Sequence, residues 1–296
     1  MPTLRDIRRR ITGVANTSKI TQAMKMVSAS KLRRAQEAIQ SARPYVLKLS
    51  DMLGNLVESV GEEYTHPLVQ KHTSVNNIAV ICIASDRGLC GSFNANLIRY
   101  TTNQIENEIL KENPSAKITV FPVGKKACSF YKKYKYPVSK EYPGIFAKLK
   151  FEEAKSIVSE VSSRYIEQDF DQVYIFFNAF KNVITQVPSQ IMLLPIEKTE
   201  QATDHKKINI DYIFEPDEKA ILDVLLPKHL DIQLWRTLLE SNAAEQAARM
   251  MAMDNATTNA RELITHLELV FNKARQAAIT KEMLEIVSGA EALKKA

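Results

Sequence analysis

Two long stretches without a helix breaker bracket this chain of 296 residues. There is no Gly or Pro from Val14 to Arg43, and none from Lys228 to Ser288. As one helix, rising 1.5 Å per residue, the second stretch would reach roughly 90 Å, about three times the diameter of a small domain. Such a helix cannot be buried in the body that the intervening residues can build. It has to project, pair with something, or both.

The apolar periodicity says what it pairs with. In the first stretch Leu32, Ala35, Ile39, Ala42, Val46, Leu49, Leu53, Leu56 and Val60 alternate spacings of three and four, which is a sustained heptad pattern. Pro44 falls inside it and predicts a kink or a local break, because it removes a helix hydrogen bond. Upstream the stripe turns small and polar, through Ile7, Ile11 and Val14 to Ser18, Thr21, Met24 and Ser28. The second stretch answers with Met250, Met253, Thr257, Ala260, Ile264, Leu267, Phe271, Ala274 and Ala278, then shifts phase to Met283, Ile286, Ala290 and Leu293. Two such helices pair within one chain, antiparallel if the middle lies at one end of both, with the left-handed supercoil of a 3.5-residue period.

The middle alternates strand and helix patterns. Asn77–Ala84, Lys117–Val123 and Gln172–Asn178 are short apolar runs suited to buried strands, and Gln186–Ile196, with two prolines, suits a sheet edge. Helical patterns at about 94–112, 125–135 and 151–168 separate the first three, which predicts right-handed crossovers and a mostly parallel sheet. Residues 197–211 read as a polar surface loop, and Asp217 as a cap of the last helix beside Pro216. The expected class is α/β plus a long coiled coil: a terminal helix over 1–60, a Rossmann-like α/β domain over 75–200 and a terminal helix over 215–296.

Charge is concentrated at the start. From Met1 to Lys48 there are eleven bases against Asp6 and Glu37, net +9, in a chain of net +6. Such an excess, including Arg8, Arg9 and Arg10, asks for an acidic partner. No aromatic occurs before Tyr45, which argues against stacking on single-stranded nucleic acid. No apolar window approaches a membrane span, and the charged start lacks the form of a secretory signal. Cys82, Cys90 and Cys128 are too few and scattered for a disulfide framework or a zinc site, so free thiols in a reducing compartment are expected. The five histidines have no metal spacing and read as surface or interface residues. Ser85–Gly91 (SDRGLCG) stands between a strand and a helix. That is either a tight turn that needs glycine or an anion site at a helix N-terminus, but it is neither a dinucleotide fingerprint nor a phosphate loop. No catalytic frame is visible.

The residues that remain are words rather than patterns. LRDIRRRITGVANTSKITQAMKMVSASKLRRAQ at the start, SDRGLCGSFN in the middle, and ESNAAEQAARMMAMDNATTNARELI with NKARQAAITKEMLEIVSGAEAL at the end resemble the gamma subunit family of bacterial-type F-type ATP synthases. From about Lys125 to Lys219 the likeness is one of layout. The resemblance implies the central rotor shaft of a proton-translocating ATP synthase, coupling rotation of a membrane c-ring to conformational changes at catalytic beta subunits. It implies a non-catalytic subunit without cofactor or metal. Its partners would be three alpha and three beta subunits, epsilon and the c-ring, with no nucleic acid and with membrane contact only through other subunits. It places the chain peripherally at the cytoplasmic face of a bacterial inner membrane, without the inserted cysteine pair of chloroplast forms. By resemblance the contacts to beta and alpha are Arg8, Arg9, Lys19, Met24, Lys25, Arg275, Gln276 and Thr280. The alternatives are a coiled-coil nucleic-acid-binding or organising protein with a basic arm, and a nucleotide-dependent enzyme.

Overall fold

The computed structural model describes residues 3–60, 66–72, 74–196 and 217–295. Helix α1 (Leu4–Val60) starts at a reciprocal cap. The Asp6 amide donates to Thr3 Oγ1 at 3.2 Å, while the Asp6 carboxylate accepts from the Thr3 hydroxyl at 2.6 Å and the Thr3 amide at 3.1 Å. Those bonds, the hydroxyl's first, hold the Asp6 carboxyl below its ordinary range. TLRD is therefore a capping box with Asp in place of Glu. The break expected at Pro44 is absent, since α1 runs through it. Pro44 and Gln40, whose carbonyl loses its donor, both lie on the exposed side, where water can take over the missing bond.

The middle follows in the order β1 (Asn77–Ile83), α2 (Phe93–Gln104), a π turn (Ile105–Ile109), α3 (Leu110–Glu112), β2 (Lys117–Val123), α4 (Lys125–Lys133), a 3-10 turn (Ile145–Ala147), α5 (Phe151–Ile166), β3 (Gln172–Phe180) and β4 (Gln186–Leu194). The chain closes with α6 (Glu218–Lys295), capped by Asp217, whose carboxylate accepts the Ala220 amide at 2.7 Å. The polar loop expected over 197–211 lies outside the described residues.

The sheet order is β2-β1-β3-β4. β1 runs parallel to both β2 and β3, and β4 is an antiparallel edge. Strand alternation sends successive residues of β1 to opposite faces. Ala79, Ile81 and Ile83 join one core with Leu49, Leu53 and Leu56 of α1, Ile157 and Val161 of α5, and Leu222, Leu226 and Leu230 of α6. Ile78, Val80 and Cys82 face Leu97 of α2 and Ala127 and Tyr131 of α4. At Gly124, with φ +88°, any Cβ would collide with the backbone of Ala84, so the turn from β2 into α4 admits only glycine.

The molecule contains two compact units. One is Ala29–Arg249, which holds the sheet; the other joins Met1–Ser28 with Met250–Ala296. In the first, the three cysteines are free and buried. Of the five histidines, His266 is exposed as expected, His66, His72 and His229 are half-buried, and His205 lies outside the described residues. Burial pushes the pKa of His229 down to about 4. His72 lies in a polar clasp at the start of the sheet. Its ring stacks on Tyr165 at 4.8 Å and its Nδ1 lies 2.8 Å from Asp171 Oδ1. The other Asp171 oxygen accepts the amides of Asn76 and Asn77 at 2.7 and 2.8 Å. Burial works against the charge of Asp171, but the amide of Asn77, the His72 bond and the amide of Asn76 outweigh it and hold the carboxyl below its ordinary range.

A pKa lower in the folded chain than in the unfolded one gives stability that is complete above the unfolded value, about 3.9, and is lost as pH falls through the folded value. Asp171→Asn, which keeps the shape and removes the charge, is expected to lower stability by roughly 2 kcal/mol at pH 7. The deficit should shrink along an acid series of urea unfolding curves. Equal midpoints for the two proteins at pH 7 would rule the clasp out.

Candidate functional site

The unit formed by the two chain ends is a helix pair with a narrow seam. Thr21 Oγ1 of α1 and Thr257 Oγ1 of α6 lie 2.7 Å apart and are buried. Each also lies within reach of its own helix, Thr21 of the Ser18 carbonyl at 3.0 Å and Thr257 of the Met253 carbonyl at 2.7 Å. With one proton per hydroxyl, one threonine donates across the seam while the other donates back along its helix. A second link joins Lys25 Nζ to Asp254 Oδ1 at 2.7 Å. Four residues forward on α1 match three backward on α6, so the helices run antiparallel. Ile7, Ser18, Ser28, Met253, Ala260 and Leu267 are buried in this unit, while Ile11, Val14, Met24 and Ile264 are half-buried. The periodicity read from the sequence is thus the observed seam. It ends before the expected phase shift, because Met283 and Ile286 are 63% and 71% exposed.

The eight residues singled out by resemblance all belong to this unit. Arg8, Arg9 and Lys19 on α1, and Arg275, Gln276 and Thr280 on α6, point to solvent. The Thr280 hydroxyl donates to the backbone carbonyl of Gln276 at 3.0 Å, and the Gln276 side chain is exposed. Met24 sits half-buried at the seam's edge beside Lys25. Among the eight, Lys25 is the one tied across the pair. Its partner Asp254 was not read from the sequence, although it follows from the Thr21–Thr257 register once one rung is known.

The Ser85–Gly91 turn, in the other unit, is filled from within. Ser85 donates its hydroxyl to the Arg87 carbonyl at 2.7 Å, and Asn94 Oδ1 accepts the Ser85 amide at 3.0 Å. Leu89 and Gly91 have φ of 62° and 59°. Arg249 of α6 donates to the carbonyls of Arg87 and Gly88 at 3.2 and 3.3 Å while pairing with Glu245 at 2.6 Å. Asp86 accepts the amides of Lys125, Gly144 and Phe146 at 2.7 to 3.0 Å. Burial raises the pKa of Glu245, against the pull of Arg249. The turn therefore receives an internal guanidinium at its carbonyls, the opposite polarity to an anion cradle. It is the glycine-bearing structural turn, though the strain falls on Leu89 as well as Gly91. Arg249 and Glu245 were missed in the sequence; an Arg and a Glu four apart in an alanine-rich helix stretch were the available signal.

Among the described residues no group of three or more His, Cys, Asp or Glu is placed to hold a metal ion, and no helix is long and apolar enough to cross a membrane. The geometry offers contact surfaces: a basic face, a tightly joined helix pair and exposed polar side chains along it.

Comparison with known proteins agrees along the whole length. A family model described as ATP synthase matches residues 3–293. The ATP synthase gamma chain of Chlorobaculum tepidum is 48% identical over 294 residues, covering 99% of this chain and 100% of the relative. That of Chloroherpeton thalassium is 45% identical over 301 residues, covering 99% of each. The fold is similar to a chain in the central stalk and c-ring structure of the Tetrahymena thermophila mitochondrial ATP synthase, at 28% identity and TM-score 0.60, covering 80% of this chain and 99% of that one. It is also similar to a chain in the Euglena gracilis mitochondrial ATP synthase, at TM-score 0.67 and 22% identity, covering 98% of this chain and 94% of that one. Matched from end to end by a family model and by relatives near half identity, this chain belongs to the ATP synthase gamma chain family.

Proposed function

We propose that this chain is the central rotor shaft of a proton-translocating F-type ATP synthase. It couples rotation of the membrane c-ring to conformational changes at the catalytic beta subunits, for synthesis or hydrolysis of ATP. The observation that carries the reading is the antiparallel pairing of the two chain ends, held by a hydroxyl rung and an ion pair, with long polar and basic side chains left outward. The helices over 1–60 and 215–296 form the shaft and residues 75–200 the foot. The chain contributes no catalytic residue, and phosphoryl chemistry belongs to its partners: three alpha and three beta subunits, with epsilon and the c-ring at the foot. The assembly sits at the cytoplasmic face of a bacterial inner membrane.

The mechanism follows from which side chains are free. Arg8, Arg9 and Lys19 are solvated charges that attract acidic loops without a desolvation cost large enough to lock the shaft. Met24 supplies a flexible, polarizable contact that tolerates repacking as the facing surface changes. Arg275 and Gln276 offer directional polar groups on the opposite helix, and the Thr280 hydroxyl, its proton engaged along the helix, offers an acceptor; a catalytic subunit can grip these at one rotary angle and release them at another. A single helix would twist under load; the rung and the ion pair make two helices turn as one.

Pull-down of the tagged chain from its host tests the reading. Recovery of a stoichiometric alpha–beta head with ATPase activity supports it, and a lone or nucleic-acid-bound chain overturns it. Arg275→Ala and Gln276→Ala should leave assembly intact and lower ATP-driven proton pumping by about tenfold, the equivalent of one charge-assisted hydrogen bond. Parental pumping in both variants would remove these residues from the contact. For the ion pair, a double-mutant cycle of Lys25→Ala and Asp254→Ala should give a coupling of about 0.2–1 kcal/mol, because both side chains are about 40% exposed. That coupling should fall with added salt in thermal unfolding.

A further inference from the structure

A second basic block lies far from the N-terminal one in sequence. Between Glu112 and Glu141 there is no acidic residue, and the interval holds seven lysines and no arginine. Net +7 over that interval makes it denser in charge than the longer segment from Met1 to Lys48. The fold gathers much of it on α4. At 100° per residue, Lys125, Lys126, Ser129, Lys132 and Lys133 fall within an arc of about 120°, and all five are exposed. Ala127, Cys128 and Tyr131 hold the opposite side in the core. Among the described residues none of these four lysines is in an ion pair, and the nearby Asp86 is occupied with three backbone amides. Just past the helix Tyr134 is 58% exposed, with the Lys133 ammonium 5.7 Å from its ring centre.

We infer that the lysine face of α4, with Tyr134 at its end, is a contact surface for an anionic lipid bilayer. Three features select this partner. Lysine is depleted at protein–protein interfaces, where arginine and apolar anchors carry the energy, and the interval contains no arginine. Arginine's planar fork, preferred for nucleic-acid recognition, is likewise missing from the interval. A cluster of four or more lysines on one helix face is the pattern drawn to acidic headgroups, and an exposed tyrosine beside it suits the interfacial zone. Four mobile, hydrated point charges attract a charged plane without fixing a register, so the contact suits a body that turns over the surface. The inference rests on the rotor reading to bring the chain beside a membrane. It departs from the expectation that the membrane is met only through other subunits.

The test uses the full chain at low salt with two kinds of sucrose-loaded vesicle. One is phosphatidylcholine alone; the other is phosphatidylcholine and phosphatidylglycerol at roughly two to one, enough to give a negative surface potential. Sedimentation should show binding to the anionic vesicles, loss of it as salt shortens the Debye length, and little binding to the neutral ones. Replacing Lys125, Lys126, Lys132 and Lys133 together by Gln should weaken anionic-vesicle binding by at least about tenfold. Replacing them by Arg should retain it, which separates lost charge from lost fold. Arg8→Gln, Arg9→Gln and Arg10→Gln together should leave most of it in place. Unchanged binding of the Gln variant, equal binding to neutral vesicles, or dependence on the N-terminal arginines alone would overturn the inference. Assembly of the same variants into an ATPase-active head is scored separately: failure of the parent chain to assemble counts against the rotor reading, whereas the vesicle result bears on α4.

Discussion

Between Thr21 and Thr257 the chain ends are joined by a hydroxyl pair 2.7 Å apart, where a purely structural coiled coil would place interdigitated leucines. A bond of this kind contributes on the order of 1 kcal/mol, less than a buried leucine pair. What it provides instead is a close and directional contact. Ser18, Ser28 and Ala260 continue the seam with equally small volumes. Because so little lies between the helices, their outer side chains remain within reach of whatever surrounds them. Lys25 and Asp254 show the consequence: they meet across the seam's edge and still keep about two-fifths of their surface in water.

The α/β unit relies on a different device. Two carboxylates tie down the ends of the sheet by collecting backbone donors. Asp171 takes the amides at the start of β1, and Asp86, just past its end, takes those of Lys125, Gly144 and Phe146. A charged acceptor with several amide donors is worth more than neutral turns of the same length. Arg249 then closes the turn after β1 from α6. Its partner Glu245 is 5% exposed, and one of its oxygens lacks a hydrogen-bond partner. A buried pair of this kind adds little net stability, but removing either member strands the other. Its effect is to fix the position of Ser85–Gly91 relative to the helix.

Periodicity made the seam readable almost rung by rung, from Ile7 through Ser28 and from Met253 through Leu267, because a 3.5-residue pattern survives whatever the helix later meets. The three buried strands and the edge strand were equally legible, being short apolar runs between turn residues. What failed was local. Pro44 does not break α1, because the bond it removes falls on the side that faces water, which a sequence does not show. Met283 and Ile286 continued the pattern, although among the described residues nothing in the unit covers them. Asp254, Arg249 and His72 act through partners 99 to 229 positions away, at distances set only by tertiary register. The site residues themselves came from resemblance, since exposed Arg, Gln and Thr on a helix carry no pattern of their own.

Charge is where the two halves of the sequence reading differ most in use. The net +9 from Met1 to Lys48 stood out because it begins the chain, while the +7 between Glu112 and Glu141 was hidden inside a remainder that sums to −3. Folding separates the two further. On α1 the bases alternate with a buried seam, and among them Lys25 and Arg33 find acids of the chain, Asp254 and Glu37. On α4 the core takes only Ala, Cys and Tyr, so every lysine of the helix is left exposed. A surface of one sign stores repulsion that ions or a partner must relieve. Relief by mobile counterions suffices for a solvated face. Four lysines on one side of so short a helix, with no acid in sequence between Glu112 and Glu141, concentrate that repulsion far beyond what interspersed charges carry, and the arrangement favours an extended anionic surface over a single acidic side chain.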